Sequence, residues 1–199
     1  MPKPPIPHPT LTTPRLRLRP FRADDTNAMH ECYSDPEAMR FWNRPPHATS
    51  RQTERAMRRV MTPAKRRAWA VADAQTDLCL GMVNYHNADL SHRSADIGYM
   101  IHPARHGQGI ATEAVTALVD HCFGLLALHR LTAFIDPENT ASIRLAENLG
   151  FRREGLLRET LFLNNAWRSD LVYGLLVTDR PAAPDPRQKY KFRKSEKKP

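Results

Sequence analysis

The stretch His106-Gly107-Gln108-Gly109-Ile110-Ala111 lies between an apolar run that ends at Ile101 and a segment of helical periodicity that begins at Thr112. Glycine lets the backbone turn tightly and approach a ligand closely. The first amides of a helix have no acceptor inside the helix, and the helix dipole favours an anion beside them. A strand, a glycine turn and a helix in this order therefore predict a site for a pyrophosphate group. A turn that only leads from strand to helix, without a ligand, is the alternative.

The residues around the two glycines exclude the two most familiar phosphate motifs. No Gly-Lys-Ser/Thr ends the turn, so it is not a Walker P-loop. Thr112 stands where G-x-G-x-x-G would have its third glycine, so the dinucleotide fingerprint is also incomplete.

Hydrophobic alternation and turn residues predict strands on both sides of this turn, at 15–19, 68–72, 78–86, 94–101, 131–135 and 172–177. The clearest helix is 112–126, and another is predicted at 140–148. The order predicts a mixed α/β fold with a central, mostly antiparallel sheet of six to seven strands, flanked by about four helices. A Rossmann domain repeats its strand–helix–strand unit several times, and this chain has one such crossover, around 112–126.

The length of 199 residues and the ordinary composition indicate one folded domain with two tails. Six prolines in residues 1–14 predict a flexible N-terminal arm. We expect the domain to occupy 15–180 and residues 181–199 to form a disordered basic tail. No apolar run approaches the ~20 residues that span a bilayer, so no membrane partner is expected.

The cysteines and charges point to a reducing compartment and to one basic segment. Three cysteines lie far apart without C-x-x-C spacing, which indicates a cytoplasmic location. The nine histidines show no paired Cys/His spacing, so no metal is expected. Of the net charge of +9, +5 belongs to 181–199. Such a block is a solvated tail by default, and an arm that docks on a ribosome or RNA is the alternative.

Three motifs in order resemble the signatures of GCN5-related N-acetyltransferases, the GNAT family. The first is Asp-Ile-Gly-Tyr-Met-Ile-His-Pro at 96–103, followed by the glycine turn and Thr-Glu-Ala at 112–114. The second, Asn-Thr-Ala-Ser at 139–142 with Gly-Phe at 150–151, is similar to the family's N-x-x-S…G-F. The third, Arg158-Glu159 with the run 164–170, resembles the RimJ/RimL-type branch, which acetylates the N-termini of ribosomal proteins. His106 departs from the Gln or Arg that is usual in the family.

The resemblance implies acetyl-CoA as co-substrate, held between splayed strands. The main chain of Met100 and His102 is expected at the pantetheine arm, Arg105 or His106 adds charge at the phosphates, and Asn139 contacts pantetheine or caps its helix. The residues implied at acetyl-CoA are Met100, Ile101, His102, Arg105, His106, Gly107, Gln108, Gly109, Ile110, Ala111, Thr112, Asn139 and Ser142.

The resemblance also implies three catalytic candidates. Acetyl transfer needs an unprotonated amine, so a carboxylate is expected to act as base. Asp96 aligns with the family's strand carboxylate, although Glu is usual there, and Glu159 is the rival candidate. The alternatives are a surface carboxylate for Asp96 and an ion pair with Arg158 or Arg168 for Glu159. Ser142 resembles the residue that protonates the departing thiolate.

The function implied is N-acetyltransfer, an acyltransferase reaction, to a primary amine. The Rim-like segment favours the N-terminal α-amine of a protein or peptide, bound in a groove formed by 41–44 and the strands near Glu159. A small-molecule amine, such as an antibiotic or an aminoacyl compound, is the alternative, and the positive charge disfavours a polyamine. A non-catalytic acetyl-CoA-binding or ribosome-binding module is a further alternative. Domains of this family often pair, so a homodimer is also considered.

Overall fold

The computed structural model describes residues 8–61 and 67–180. The predicted tail at 181–199 and residues 1–7 of the predicted arm lie outside the described residues. The described chain folds into one sheet with the strand order β1-β2-β3-β4-β5-β6-β8-β7. In chain order the strands are β1 (Leu11–Thr12), β2 (Leu16–Arg19), β3 (Arg67–Asp73), β4 (Cys79–Asp89), β5 (Ser94–Ile101), β6 (Arg130–Ile135), β7 (Arg152–Leu163) and β8 (Ala166–Leu176).

Helices cover both faces of this sheet. In chain order they are α1 (Asp25–Ser34), α2 (Pro36–Met39), α3 (Ser50–Met61), α4 (Ile110–Gly124) and α5 (Thr140–Asn148). Only β5 and β6 pair in parallel among the described strands, and α4 is the crossover that joins them. The predicted mixed α/β fold with a mostly antiparallel sheet is confirmed.

The two faces of the sheet have separate cores. On one face α4 buries Leu118 and Cys122 completely against the strands. On the other face α1 and α3 contribute Met29 and Met57 to a second cluster, and β5 contributes Met100 from the sheet. Each of these leucine and methionine side chains contributes roughly 1.5–3 kcal/mol by leaving water. The strands are therefore held from both sides, so their edges and ends can serve as a rigid frame for a site.

The sheet begins earlier in the chain than predicted. β1 pairs with β2, and the Thr13 N–H donates to the Leu16 carbonyl at 2.9 Å to close the turn between them. Leu11 packs against the core on the α4 side. The predicted flexible arm at 1–14 is therefore wrong for residues 11–13, because an apolar side chain within the proline-rich stretch reaches the core.

Two boundaries near the predicted site also differ. α4 begins at Ile110 rather than Thr112, because Gly109 has a left-handed φ of 74° and redirects the chain within one residue. β8 begins at Ala166 rather than 172, and only its part from Leu171 to Leu176 pairs with β6. The β7–β8 hairpin therefore projects beyond the end of β6. Within 8–61 and 67–180, no helix is long and apolar enough to cross a membrane.

Candidate functional site

The glycine turn, residues 106–111, presents a row of free backbone amides. Gly107 and Gly109 have φ of 72° and 74°, where a residue with a side chain would be strained. From Gly107 to Thr112, no backbone N–H donates to another residue of the described chain. The start of α4 adds the partial positive charge of the helix dipole, about half an elementary charge. The turn therefore has the donors and the electrostatic field that an anion requires.

A short 3-10 helix, Pro103–Arg105, supports the turn. The His106 N–H donates to the Pro103 carbonyl at 3.1 Å, and the His106 Nε2 lies 2.8 Å from the Ile101 carbonyl oxygen. The imidazole thus points back along the chain. Of the two predicted charge partners for the phosphates, Arg105 is exposed beside the turn and is not engaged in this way, and both stay predictions.

A gap opens between β5 and β6. These strands pair only where Ser94, Ala95 and Asp96 face residues 130–132. Beyond this point β6 follows β8 and β5 follows β4. From Ile97 to Ile101, the edge of β5 that faces β6 has no partner among the described strands. This is the splay that the resemblance implied.

The direction of the main chain decides which residues of β5 face this gap. The His102 N–H donates to the Leu80 carbonyl at 2.8 Å and therefore points to β4. Main-chain groups of alternate residues in a strand point the same way, so those of Met100 also face β4, and those of Tyr99 and Ile101 face the gap. The main chain of Tyr99 and Ile101 is therefore better placed for the pantetheine arm than that of Met100 and His102, whose contact with it stays a prediction.

Two hydroxyl groups come together beside the gap, from β5 and α5. The Tyr99 Oη is buried and has no hydrogen-bond partner within the described part of the chain. Burial raises the pKa of Tyr99, and the Ser142 hydroxyl nearby partly offsets that rise. The Ser142 N–H donates to the Asn139 Oδ1 at 3.1 Å, which confirms Asn139 as the cap of α5. The sequence carries no signal for the Tyr99 hydroxyl beyond the place of Tyr99 in the first motif.

Asp96 stands at the last paired position before β5 and β6 part. Its neighbours Ala95 and Ile97 are buried in the core on the α4 side, so Asp96 lies on the opposite face of the sheet. Asn87 Nδ2 donates to the Asp96 Oδ2 at 2.9 Å. α5, which carries Ser142, packs on the α4 side. The two candidate catalytic groups therefore approach the gap from opposite faces.

Glu159 lies apart from these residues. It has a left-handed φ of 53° and belongs to a bulge in β7, where 158–160 stand opposite Ser169. Its N–H donates to Ser169 Oγ at 3.1 Å, and its side chain is exposed beside an open hollow of about 450 Å³ that Leu156–Thr160 line. β7 is three strand positions from β5, roughly 14 Å at the usual strand spacing. The sheet therefore groups Asp96 with the gap and leaves Glu159 outside it.

A cluster around Arg168 joins the projecting hairpin to the rest of the fold. Arg168 Nε donates to Asp136 Oδ2 at 2.7 Å, and its Nη1 donates to the Arg40 carbonyl at 3.2 Å. The guanidinium groups of Arg40 and Arg168 lie 5.1 and 5.8 Å from the centre of the Phe41 ring. The predicted groove segment at Phe41 thus meets the hairpin through Arg168. The alternative ion pair between Arg168 and Glu159 is not formed.

The cysteines are poorly suited to nucleophilic chemistry. Cys32, Cys79 and Cys122 are free thiols. Burial is the main cause that raises the pKa of each thiol to about 12. A thiol reacts as the thiolate, which is scarce at such a pKa. Among the described residues, no group of three or more His, Cys, Asp or Glu is arranged to hold a metal ion.

Comparison with known proteins identifies the same family that the sequence motifs resemble. The family described as Acetyltransferase (GNAT) domain matches residues 15–152. The uncharacterized N-acetyltransferase p20 of Bacillus licheniformis is 33% identical over 153 residues, which cover 75% of this chain and 86% of that protein.

Two solved structures from Vibrio cholerae have a similar fold. A candidate ribosomal-protein-serine acetyltransferase has a TM-score of 0.72 at 26% identity, with 85% of this chain and 98% of the other covered. A spermidine N-acetyltransferase in complex with CoA and spermine has a TM-score of 0.75 at 26% identity, with 84% and 98% covered. The two proteins are named for different acceptors, so the fold alone does not select one.

We expect Gly109→Ala to weaken the binding of coenzyme A by about tenfold. Alanine in the left-handed region is strained by about 1–2 kcal/mol. Its Cβ would lie 3.4 Å from Arg15 Nη2, which is close to ordinary contact, so the strain comes from the backbone conformation and is relieved only if the turn and its amides move. Isothermal titration calorimetry measures the affinity.

Gly124→Ala, at the other end of α4, is the matched control. A Cβ there has no neighbour within 4 Å, and the residue has no positive φ. This variant should bind coenzyme A as the wild type does. Equal affinities for the two variants would contradict the assignment of the glycine turn as the phosphate site.

Proposed function

The chain belongs to the GNAT acetyltransferase family, and we propose that it transfers an acetyl group from acetyl-CoA to the N-terminal α-amine of a protein or peptide. One observation carries the donor half of this proposal. The free edge of β5, from Ile97 to Ile101, leads into the free amides at 107–112. An extended arm that ends in a pyrophosphate matches both features.

In this proposal the donor is bound mostly by the main chain. The pantetheine arm adds to the edge of β5 as a further strand would, with the main chain of Tyr99 and the N–H of Ile101 as its partners. The pyrophosphate accepts hydrogen bonds from the amides at 107–112, and Arg105 adds a positive charge beside it. Backbone recognition of this kind explains why His106 can replace the family's usual Gln or Arg.

Asp96 is the proposed base. An ammonium nitrogen has no lone pair, so the acceptor must lose a proton to react. Asp96 takes this proton directly or through water, and its bond from Asn87 holds the carboxylate in place. The amine nitrogen then attacks the thioester carbonyl carbon. The C–N bond forms, the C–S bond breaks, and the sulfur leaves as a thiolate.

Ser142 and Tyr99 are proposed to act on the departing sulfur. The thiolate needs a proton, and the Ser142 hydroxyl can donate one. The Tyr99 hydroxyl lies near Ser142 and has a raised pKa because of its burial, so it stays protonated at neutral pH. It can therefore return a proton to Ser142, and it regains this proton from water after the products leave. Both groups lie on the face opposite Asp96, so proton removal and proton donation are spatially separate.

The charges around the gap support a peptide acceptor over a polyamine. Four carboxylates have cationic or imidazole partners, in the pairs Asp136–Arg168, Glu138–Arg40, Glu154–Arg130 and Glu31–His102. No ion pair among the described residues involves Asp96 or Glu159, which leaves few carboxylates here free to bind a cation. A polyamine carries several positive charges and is best bound by carboxylates that lack such partners. A peptide α-amine carries a single positive charge and requires only one such carboxylate. The spermidine N-acetyltransferase relative is the observation that favours a small amine as the second candidate.

We expect peptides with a free N-terminus to be acetylated faster than spermine or spermidine at equal concentration. The released thiol of coenzyme A measures the rate for each acceptor, and the same peptides with a blocked N-terminus are the control. Arg168→Gln should shift the preference towards spermine, because it leaves the negative charge of Asp136 without its partner. Spermine as a better acceptor than every peptide for the wild type would contradict the proposal.

We expect Asp96→Asn to lower turnover by about 10²–10⁴-fold while acetyl-CoA affinity stays the same. Glu159→Gln makes the same change of charge outside the gap and should leave turnover close to that of the wild type. Steady-state kinetics with the best peptide measures both variants. A loss in Glu159→Gln alone would move the base to the β7 bulge, and no loss in either variant would remove both residues from the chemistry.

A non-catalytic acetyl-CoA-binding or ribosome-binding role is the remaining alternative, and the basic segment 181–199 motivates it. Binding of acetyl-CoA without acetylation of any peptide or amine in the panel would favour this role. A ribosome or RNA contact, a homodimer and a cytoplasmic location stay predictions.

A further inference from the structure

Arg15 lies in the β1–β2 turn, beside the glycine turn. The β1–β2 turn is closed by Thr13, whose N–H donates to the Leu16 carbonyl at 2.9 Å and whose Oγ1 accepts from the Leu16 N–H at 3.0 Å. The Arg15 carbonyl accepts from the Ala74 N–H at 2.9 Å. The backbone of Arg15 is thus held by the neighbouring strand, so its side chain starts from a fixed position.

The Arg15 side chain forms hydrogen bonds with both the glycine turn and the first turn of α4. Its Nη1 donates to the Gln108 carbonyl at 3.0 Å, and its Nε donates to Glu113 Oε2 at 2.6 Å. Glu113 Oε1 accepts from the Arg15 N–H at 3.0 Å and from the Thr13 hydroxyl at 2.6 Å. Partial burial acts to raise the pKa of Glu113, but these hydrogen bonds outweigh it and lower the pKa. The carboxylate therefore stays charged at neutral pH.

We propose that Arg15 and Glu113 are positioning residues that aim the amides of the glycine turn at the pyrophosphate of acetyl-CoA. This inference rests on the donor site of the proposed function. It adds two residues that do not need to touch the ligand.

The geometry of the peptide unit explains how Arg15 acts. The Gln108 carbonyl and the Gly109 N–H belong to one peptide unit, and in a trans peptide they point in opposite directions. No cis peptide occurs in the described residues. Because Arg15 holds the carbonyl, the Gly109 N–H points away from Arg15. Glycine has easy access to several backbone conformations, so this peptide can rotate unless something outside the turn holds it.

Glu113 completes the hold from the helix side. It belongs to the first turn of α4, and its N–H donates to the Gly109 carbonyl at 3.1 Å. Its carboxylate holds the Arg15 guanidinium in place, so the same arginine is bonded to both the glycine turn and the N-terminus of α4. Charge alone gives the opposite expectation for Glu113, because a carboxylate near a phosphate repels it. Glu113→Gln should therefore weaken acetyl-CoA binding if Glu113 positions the turn, and strengthen it if the charge of Glu113 alone matters.

The test compares acetyl-CoA with acetyl-pantetheine, which lacks the pyrophosphate, on the full-length protein. We expect Arg15→Gln and Glu113→Gln each to weaken acetyl-CoA binding by about tenfold and to leave acetyl-pantetheine binding unchanged. Arg15→Lys keeps the charge but lacks the fork, so it should restore only part of the affinity. Arg17→Gln is the matched control, since Arg17 pairs with Asp77 at 3.1 Å and does not contact the glycine turn. Calorimetry measures the affinities, and circular dichroism checks the fold.

Three results would overturn the inference while leaving the proposed function intact. One is affinities for acetyl-CoA in the Arg15 and Glu113 variants that match Arg17→Gln. Another is tighter binding by Glu113→Gln, which would indicate a charge effect. The third is an equal loss for both ligands, which would indicate general damage to the fold. A wild-type protein that does not bind acetyl-CoA would instead overturn the donor site of the proposed function itself.

Discussion

The pairing of β5 with β6 ends after Asp96 and Thr132, and the rest of the site depends on this early end. Since β5 stays with β4 and β6 stays with β8, the strands part and leave main-chain groups of β5 without partners. Such groups within a fold need partners, and an extended ligand with amides along its length can supply them. The short connection from Ile101 to Ile110 then places the N-terminus of α4 at the open end of the gap.

The two faces of the gap have different chemistry because side chains alternate along β5. Tyr99 lies on the face of α4 and α5, near Ser142, whereas Asp96 lies on the face of α1 and α3. The arrangement suits a transfer in which the donor and the acceptor meet in the gap. The ion pairs Arg168–Asp136 and Arg40–Glu138 tie the projecting hairpin and the end of α2 to the loop between β6 and α5, and Arg168 also donates to the Arg40 carbonyl.

The strand, glycine turn and helix could be predicted from the sequence because each depends on a local pattern. The features that differ depend on contacts between distant segments. Leu11 joins the sheet because its side chain packs against the core on the α4 side. Which main-chain groups of β5 face the gap depends on the pairing with β4, which the sequence does not show. Arg15 and Glu113 are 98 residues apart, so no spacing rule connects them. The acceptor groove was the least predictable part, since it depends on how the hairpin meets α2.

The central claim is that acetyl-CoA lies along the free edge of β5 with its pyrophosphate on the glycine turn. Titration of the ¹⁵N-labelled full-length protein with coenzyme A, followed through the amide chemical shifts, tests this claim most directly. We predict the largest shifts at the amides of 107–112, Tyr99 and Ile101, and smaller shifts at Met100 and His102, whose amides face β4. Large shifts elsewhere, with the amides at 107–112 unmoved, would contradict it.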